Sequence, residues 1–575
     1  MRHTICVFSF TRLPCLKNRD MFQGRNIWNK RQSESFSAGM IGVCLLSSLI
    51  CCKKQLGPTL IGIGDSLTHG TMDATNNEVN TRNAYLQKVA EALEKVTPIV
   101  FSQPFFDEQE QRKNPFQIPT NLGVDGGDLF TLEGIEYGKR VGAKKSFVSK
   151  DYLCDRMLPQ TLSDDYDKVL YPINLLSGKD VSQLDSAVWF LDQGAPVASQ
   201  KAIIVLWDGN NDTSQSVLGE GGKNPFVFPI PTELILDRLF PPLKELLKLA
   251  GNKISFAPYT KTLIDRGLTE IVDFRKQFNH LLERIQATRL HALGKADVFI
   301  LTLPYYSSVG YLFDSDDLEF YLQQINPSYS VPATFKRVGP RGQMVTDPFK
   351  GDRVSILTFI AMFGLIESGV SITEVNRVLE EQGKQNDGLV LSEEEQMMIR
   401  QRIDDFNEIL KELSKKSEHF HFVDIAKYLN DVLTGKEKII VKNREIHRKW
   451  GRGSAFSLDG VHPAYTAQAI VANFILGEMN QKLGLHAPLY DLSPIFDQDP
   501  YIDHDGDGWP PGPSYTPFDI GRLFHLLKDP SDQDPLVIPV ISNNIWKVLG
   551  EILLDRLRGI PIETKGRKSL EEKLR

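Results

Sequence analysis

Gly64-Asp65-Ser66-Leu67 stands directly behind the apolar run Leu60, Ile61 and Ile63. A short apolar run ended by glycine and aspartate reads as a buried strand entering a loop. Such a loop lifts the Ser66 hydroxyl to the carboxyl edge of a sheet, where open α/β sheets place their sites. Far along the chain, SLDGVHPAY supplies Asp459 and His462, three residues apart, at the entry to a helix expected from Tyr465 to about Leu483. At that spacing the carboxylate can accept a hydrogen bond from the imidazole, which fixes the tautomer and leaves the other ring nitrogen for a hydroxyl. A serine, a base and an orienting carboxylate are the parts of nucleophilic acyl chemistry. Each also has a plain structural reading: Ser66 as a helix cap, Asp459 as a turn residue before Gly460, His462 as a surface side chain.

Acyl transfer further needs donors for an oxyanion. Two stretches offer them. In Asn121-Leu122-Gly123-Val124-Asp125-Gly126-Gly127, the Gly126 N–H can face a ligand with no side chain in the way. In Gly209-Asn210-Asn211-Asp212, behind the apolar stretch KAIIVLW, an asparagine amide can donate. Taken singly, both are ordinary turn compositions.

The four blocks in this order, GDSLTHG, NLGVDGG, WDGNND and LDGVHP, resemble the SGNH (GDSL) hydrolase family. The resemblance spans residues 58–483, is firmest within the blocks, and includes a counterpart strand end in ILTLPYY (Ile300–Tyr306). It implies Ser66 as nucleophile, Asp459 and His462 as the rest of a triad, and Gly126 and Asn211 as oxyanion donors beside the Ser66 N–H. It also implies a flavodoxin-like α/β/α sandwich with a central parallel sheet, carboxylic-ester hydrolysis through an acyl-enzyme, and no catalytic cofactor. A small-molecule or lipid ester is the expected substrate. The alternatives are a catalytically silent binding lipoprotein and a carbohydrate O-deacetylase. Two departures stand out. Ser66 and His462 are 462 − 66 = 396 residues apart, and Asp208 precedes the third-block glycine where an apolar residue is usual.

The elements that must position these groups are written in the periodicity. Lys201–Trp207 and Ala296–Leu303 read as further buried strands, and Asn83–Lys95, Thr232–Leu249 and Leu268–Leu293 as helices. Apolar strands alternating with amphipathic helices indicate a parallel sheet covered on both faces. The charged stretch Gln382–Glu418 reads as a helical hairpin or lid-like insertion. Insertions are expected at about 214–295 and 305–450, with an appended Pro/Asp-rich tail at 484–575 that turns amphipathic near Asn544–Leu557.

In that tail, Asp503-His504-Asp505-Gly506-Asp507-Gly508 has the carboxylate spacing of a calcium loop, without the usual glutamate at position twelve, where Ser514 stands. Asp497 and Asp499 are candidates for the missing oxygens, and the expected role is structural. At the other end, the apolar run Ala38–Cys51 is too short to span a bilayer comfortably and fits a signal-peptide core in residues 1–52. Leu49-Ile50-Cys51 resembles a lipobox, with Ile50 where a small residue is usual, so Cys51 is a candidate lipidation site. Export to the cell envelope, with a lipid anchor or as a secreted form, is the expectation. The remaining cysteine, Cys154, has no catalytic context. A net charge of −7, with no concentrated basic patch, gives nucleic-acid binding no electrostatic support.

Overall fold

In the computed structural model, residues 57–513 are described, apart from 108–109, 140–144, 194–200, 219–266, 339–343, 368 and 381–389. The expected signal segment with Cys51, the helix at 232–249 and the tail beyond 513 lie outside the described residues. Among the described residues no helix is long and apolar enough to cross a membrane.

Four apolar runs form an all-parallel sheet: β1 (Thr59–Gly64), β2 (Ala202–Trp207), β3 (Ala296–Leu301) and β4 (Phe420–Val423), side by side in chain order. Every residue of β1 and β2 is buried. Side chains alternate between the two faces of a strand, so both faces of the sheet are covered. On the open side of β1, residues 100 and 121 make parallel bridges to Thr59 and Gly62. The chain therefore leaves β1 in one direction and returns to β2 on the other side. Diverging loops of this kind open a crevice at the carboxyl ends of the strands.

Two sets of helices cover the sheet. One comprises α1 (Tyr85–Glu94), α6 (Ile425–Leu433) and α7 (Tyr465–Leu483); the other comprises α2 (Gln183–Gln193), α4 (Ile271–Gln286) and α5 (Glu393–Leu413). The short α3 (Asn211–Leu218) follows β2. β1, β2, β3, α1 and α7 fall where the periodicity put them, whereas β4 was not among the expected strands; the expected helix at 268–293 is divided into α4 and the short Arg289–Ala292.

The expected lid at 382–418 is corrected. Its described part is a two-residue strand, Val390–Leu391, and one long helix, α5, whose Ile399, Ile403, Phe406, Leu410 and Leu413 are buried and which packs on α4. Phe406 stacks on Phe274 with ring centroids 3.8 Å apart. Asn407 exchanges two hydrogen bonds with the Leu303 backbone at the end of β3, at 2.7 and 2.9 Å. The helix is thus the crossover between β3 and β4, and the stretches expected as insertions contain α4, α5, β4 and α6 of the core. Its apolar residues recur every three and four positions, a seam partly masked by the charged residues between them.

The first part of the tail is integral as well. Tyr501 and Ile502 are fully buried, and Trp509 sits among Tyr321, Phe363 and Trp450.

Candidate active site

Asp65, not Ser66, caps the one-turn helix Ser66–His69: its Oδ1 accepts the Leu67 N–H at 3.0 Å. That leaves the serine side chain unemployed by the cap. Gly64 is required just before it, because a Cβ there would lie 2.1 Å from the Trp207 carbonyl. The second block is fastened to the first by buried amides. His69 Nδ1 pairs with the Gly123 carbonyl at 2.9 Å, and Asn121 donates to the Thr68 carbonyl at 2.7 Å. Gln183 reaches from α2 to donate to the carbonyls of both Gly64 and Leu122. At Gly123 a Cβ would come within 2.5 Å of the His69 nitrogen, so only glycine permits this approach.

Onto this platform the fold brings the fourth block. His462 Nε2 lies 2.9 Å from Ser66 Oγ, and His462 Nδ1 lies 2.7 Å from Asp459 Oδ2. Asp459 Oδ1 accepts the N–H groups of Val461 and His462, and Oδ2 also accepts the Ala74 N–H at 2.8 Å. Both partners are buried, at 0% and 1% exposure, so the pair is shielded from water. Burial alone would raise the Asp459 carboxyl, but the neighbouring imidazole charge and these hydrogen bonds outweigh it and hold the group below its ordinary value. For His462 burial works downward and is overcome by the Asp459 charge and hydrogen bond, so the imidazole is held above its ordinary value. The three expected residues thus stand in series: hydroxyl, imidazole, carboxylate.

Of the oxyanion candidates, Asn211 opens on the same cavity as Ser66 and His462. Its amide donates to the Gly127 carbonyl at 2.7 Å and its Oδ1 accepts from Ser214. Gly126 is not among the residues lining that cavity. It sits at φ +70°, next to the residue that Asn211 holds. Asp208 is buried and does not line the cavity either.

The structure adds residues that spacing did not single out. Asn210 donates to Asp65 Oδ2 at 2.8 Å, joining the third block to the first. Burial, against that hydrogen bond and the one from Leu67, pushes Asp65 up to about 7. Tyr306, at the end of ILTLPYY, lines the cavity. The N–H of Ala74 had little local signal, since Asp73 suits a left-handed turn position but Ala74 does not.

The cavity is a cleft of about 840 Å³, counted to its open mouth. Beyond Ser66 it is walled by Leu429, Val432 and Leu433 of α6, by Ile470 and Val471 of α7, and by Ile446, Phe456 and Val461. The polar residues on this cavity are Asp65, Ser66, Asn210, Asn211 and His462, with Tyr305 and Tyr306.

Comparison with protein-family models and with curated proteins finds no match.

The acidic positions in the tail divide. Asp499 was a candidate cation ligand, but its oxygens accept the Thr466 and Tyr501 N–H groups at 2.7 and 3.0 Å, so it caps α7 from a distance. Asp497 pairs with Lys442. Asp503, Asp505 and Asp507 do bring carboxylate oxygens within 4.8 Å of one another. Asp503 meanwhile accepts the N–H groups of Gly506 and Gly508. A second acidic group, Asp314, Asp316 and Asp317, is neutralised by Arg448, Lys449 and Arg452, which fasten the segment after β3 to the chain leading into the fourth block.

Proposed function

We propose that the chain is a serine hydrolase of the SGNH type that cleaves carboxylic esters carrying an apolar acyl group. The observation that carries this reading is the unbroken series Ser66 Oγ, His462, Asp459 at 2.9 and 2.7 Å, at the polar end of an otherwise apolar cleft. In this reading the segment at residues 100–121 takes the place of an outer strand. The order becomes 2-1-3-4-5, that of flavodoxin-like α/β/α sheets, with Ser66 and Asn211 flanking the switch point.

His462 takes the Ser66 proton as Oγ attacks the ester carbonyl. Its charge is then balanced by Asp459, which stays ionised. The oxyanion is held by the Ser66 N–H and the Asn211 amide; Gly126, which does not line the cavity, would serve as a third donor only if its turn moved toward Ser66. Protonation of the leaving alcohol by His462 gives an acyl-enzyme, and water attacking by the same route restores the hydroxyl. Each CH₂ buried in the cleft contributes about 0.8 kcal/mol to binding, which favours acyl chains over polyhydroxylated sugar esters. No reaction step calls on a cofactor.

Export to the cell envelope, with Cys51 as a lipid anchor, belongs to the same proposal and rests on the sequence. So does a structural calcium ion at Asp503, Asp505 and Asp507, supported by the convergence of their carboxylates. A melting midpoint unmoved by millimolar calcium or chelator would remove that part.

The test is a fluorophosphonate probe followed by peptide mapping, with nitrophenyl esters from acetyl to palmitoyl as substrates. Labelling is expected on Ser66 and is abolished by Ser66→Ala, with kcat falling about 10⁴-fold or more. A wild-type protein that takes no label and hydrolyses none of the esters would refute the hydrolase. Equal rates across the chain lengths would refute the apolar acyl preference.

A further inference from the structure

We propose that the turn Met72–Thr75, tied to Tyr501 in the segment after α7, positions the triad carboxylate, with Asp73 and Tyr501 as positioning residues. The inference rests on the hydrolase reading above and deepens it.

The turn itself is unusual. Met72 and Thr75 exchange backbone hydrogen bonds at 3.2 and 3.0 Å around just two residues, Asp73 and Ala74, and both of those lie at φ +53°. Two consecutive left-handed residues make the tight turn type that normally takes Gly, Asn or Asp. Ala at such a position is strained, and strain of this kind persists only where the surroundings over-determine the backbone. Asp73 suits its position, but Ala74 does not. The conformation at Ala74 is therefore imposed from outside the turn.

What imposes it is the loop that carries the triad acid. Asp73 Oδ1 accepts the Leu458 N–H at 2.8 Å, and the Asp73 N–H donates to Ser457 Oγ at 3.1 Å. The Ala74 N–H is thereby aimed at Asp459 Oδ2, 2.8 Å away, the same oxygen that faces His462 Nδ1. Three consecutive residues, Ser457, Leu458 and Asp459, are thus gripped by two. In an ordinary extended or helical backbone the Ala74 amide would point elsewhere.

Asp73 is in turn fixed by Tyr501, whose hydroxyl donates to Asp73 Oδ2 at 2.6 Å with both residues at 1% exposure. Tyr501 is held by Asp499, which accepts its N–H and also the Thr466 N–H in the first turn of α7. That helix begins three residues after His462. Its Tyr465 meets the Tyr501 ring edge-on at 5.6 Å. The connections close a ring from His462 through α7, Asp499, Tyr501 and Asp73 back to Leu458 and Asp459. Its members converge on the triad loop, and Leu458, Tyr465 and Tyr501 pack in the hydrophobic core as well. A buried network in which each acceptor is satisfied fixes one geometry, and catalytic geometry is where small displacements cost most.

The experiment compares wild type with Asp73→Ala, Asp73→Asn and Tyr501→Phe in the full chain. It reads kcat and KM on a nitrophenyl ester, the pH profile of kcat/KM, the rate of fluorophosphonate labelling, and the folded fraction by circular dichroism. Asp73→Ala should lower kcat about 100-fold, as a misplaced catalytic group does, with KM within about twofold. Asp73→Asn retains an acceptor and tolerates φ > 0, so it should lose less. Tyr501→Phe keeps the ring and should lower kcat about tenfold. In Tyr501→Phe and Asp73→Ala the acid limb of the profile should move to lower pH, because a loosened Asp459 supports the imidazolium less. A purely structural role would lower activity in step with the folded fraction and leave the limb in place; that result overturns the inference. So does a Tyr501→Phe protein with wild-type kcat and an unmoved limb, which decides the matter even if Asp73→Ala fails to fold. A wild type that takes no label sinks the hydrolase reading and this inference together, whereas a labelled wild type with unaltered variants sinks this inference alone.

Discussion

Serine, histidine and aspartate meet twice on this sheet, at opposite edges. At the carboxyl edge Ser66, His462 and Asp459 are joined end to end. At the amino edge, Asp297 near the start of β3 is shared by His419 Nδ1 at 3.1 Å and His421 Nε2 at 2.9 Å, while Ser417 pairs with a different imidazole, His291, at 3.2 Å. The inventory is the same and the wiring is not. No imidazole at the amino edge joins hydroxyl to carboxylate among these contacts, so proton transfer from Ser417 has no stabilised acceptor. Burial differs too. Asp297 and His419 are exposed by 25% and 26%, against 0% and 2% for the side chains of Asp459 and His462. Water screens the first set more than the second, where each charge therefore acts at greater strength. Both aspartates sit below their ordinary values for one reason: burial pushes each up and hydrogen-bonded histidines pull it further down. A lowered carboxylate is therefore no signature of catalysis. The proposed reaction needs a serial connection behind the serine hydroxyl.

The sharpest way to break the comparison is to remove one carboxylate from each edge. Asp459→Asn should cut kcat by about 10⁴, through the wrong tautomer and an unbalanced imidazolium. Asp297→Asn should leave kcat within about twofold. Equal effects on ester turnover would erase the distinction. Next in size, Asn211→Ala should lower kcat by about 10² to 10³ with little change in KM, the cost of one oxyanion donor; a wild-type rate would show that this amide stays on the Gly127 carbonyl throughout.

The pH dependence is smaller and its sign follows from the raised His462. The base must be neutral, so kcat/KM should climb with pH through a midpoint above the ordinary histidine value of about 6.5. In Asp459→Asn the midpoint should fall. On stability, a raised histidine contributes fully below its unfolded value and loses that contribution as pH rises through the raised one. The smallest effect belongs to the amino edge. Because Asp297 is lowered, its contribution is present above the ordinary aspartate value and is lost as pH falls through the lowered one. Asp297→Asn should cost about 0.5 kcal/mol at neutral pH by denaturant melting, as partly exposed pairs do. A loss of several kcal/mol would mean that this cluster is far better shielded than its exposure indicates.

Some of this was legible residue by residue. β1, β2 and β3 are short apolar runs ended by Gly, Asp or Pro, whereas β4, interrupted by His421, was not read as a strand; α7 begins and ends where its pattern does, at Tyr465 and Leu483. Asp459 and His462 are three residues apart, so their pairing is a property of one turn. The charged stretch at 382–418 was misleading because solvent-facing charges between the seam positions of α5 give a surface helix and a sheet-covering helix the same overall composition. Asp499 read as a spare cation ligand because a carboxylate's partner cannot be known when that partner is an N–H more than thirty residues away.

What the sequence by itself determined, then, is local: apolar runs long enough for strands, a capped turn presenting Ser66, and an acid–imidazole pair preset by spacing. Tertiary structure alone decided which histidine meets which serine across 396 residues, that a two-residue turn with a left-handed Ala74 is bent to hold Asp459, and that a tyrosine from the tail locks it. Fixed bond geometry propagates over only a few residues. Contacts between distant segments depend on how every crossover between them packs, and that information is spread over the whole chain.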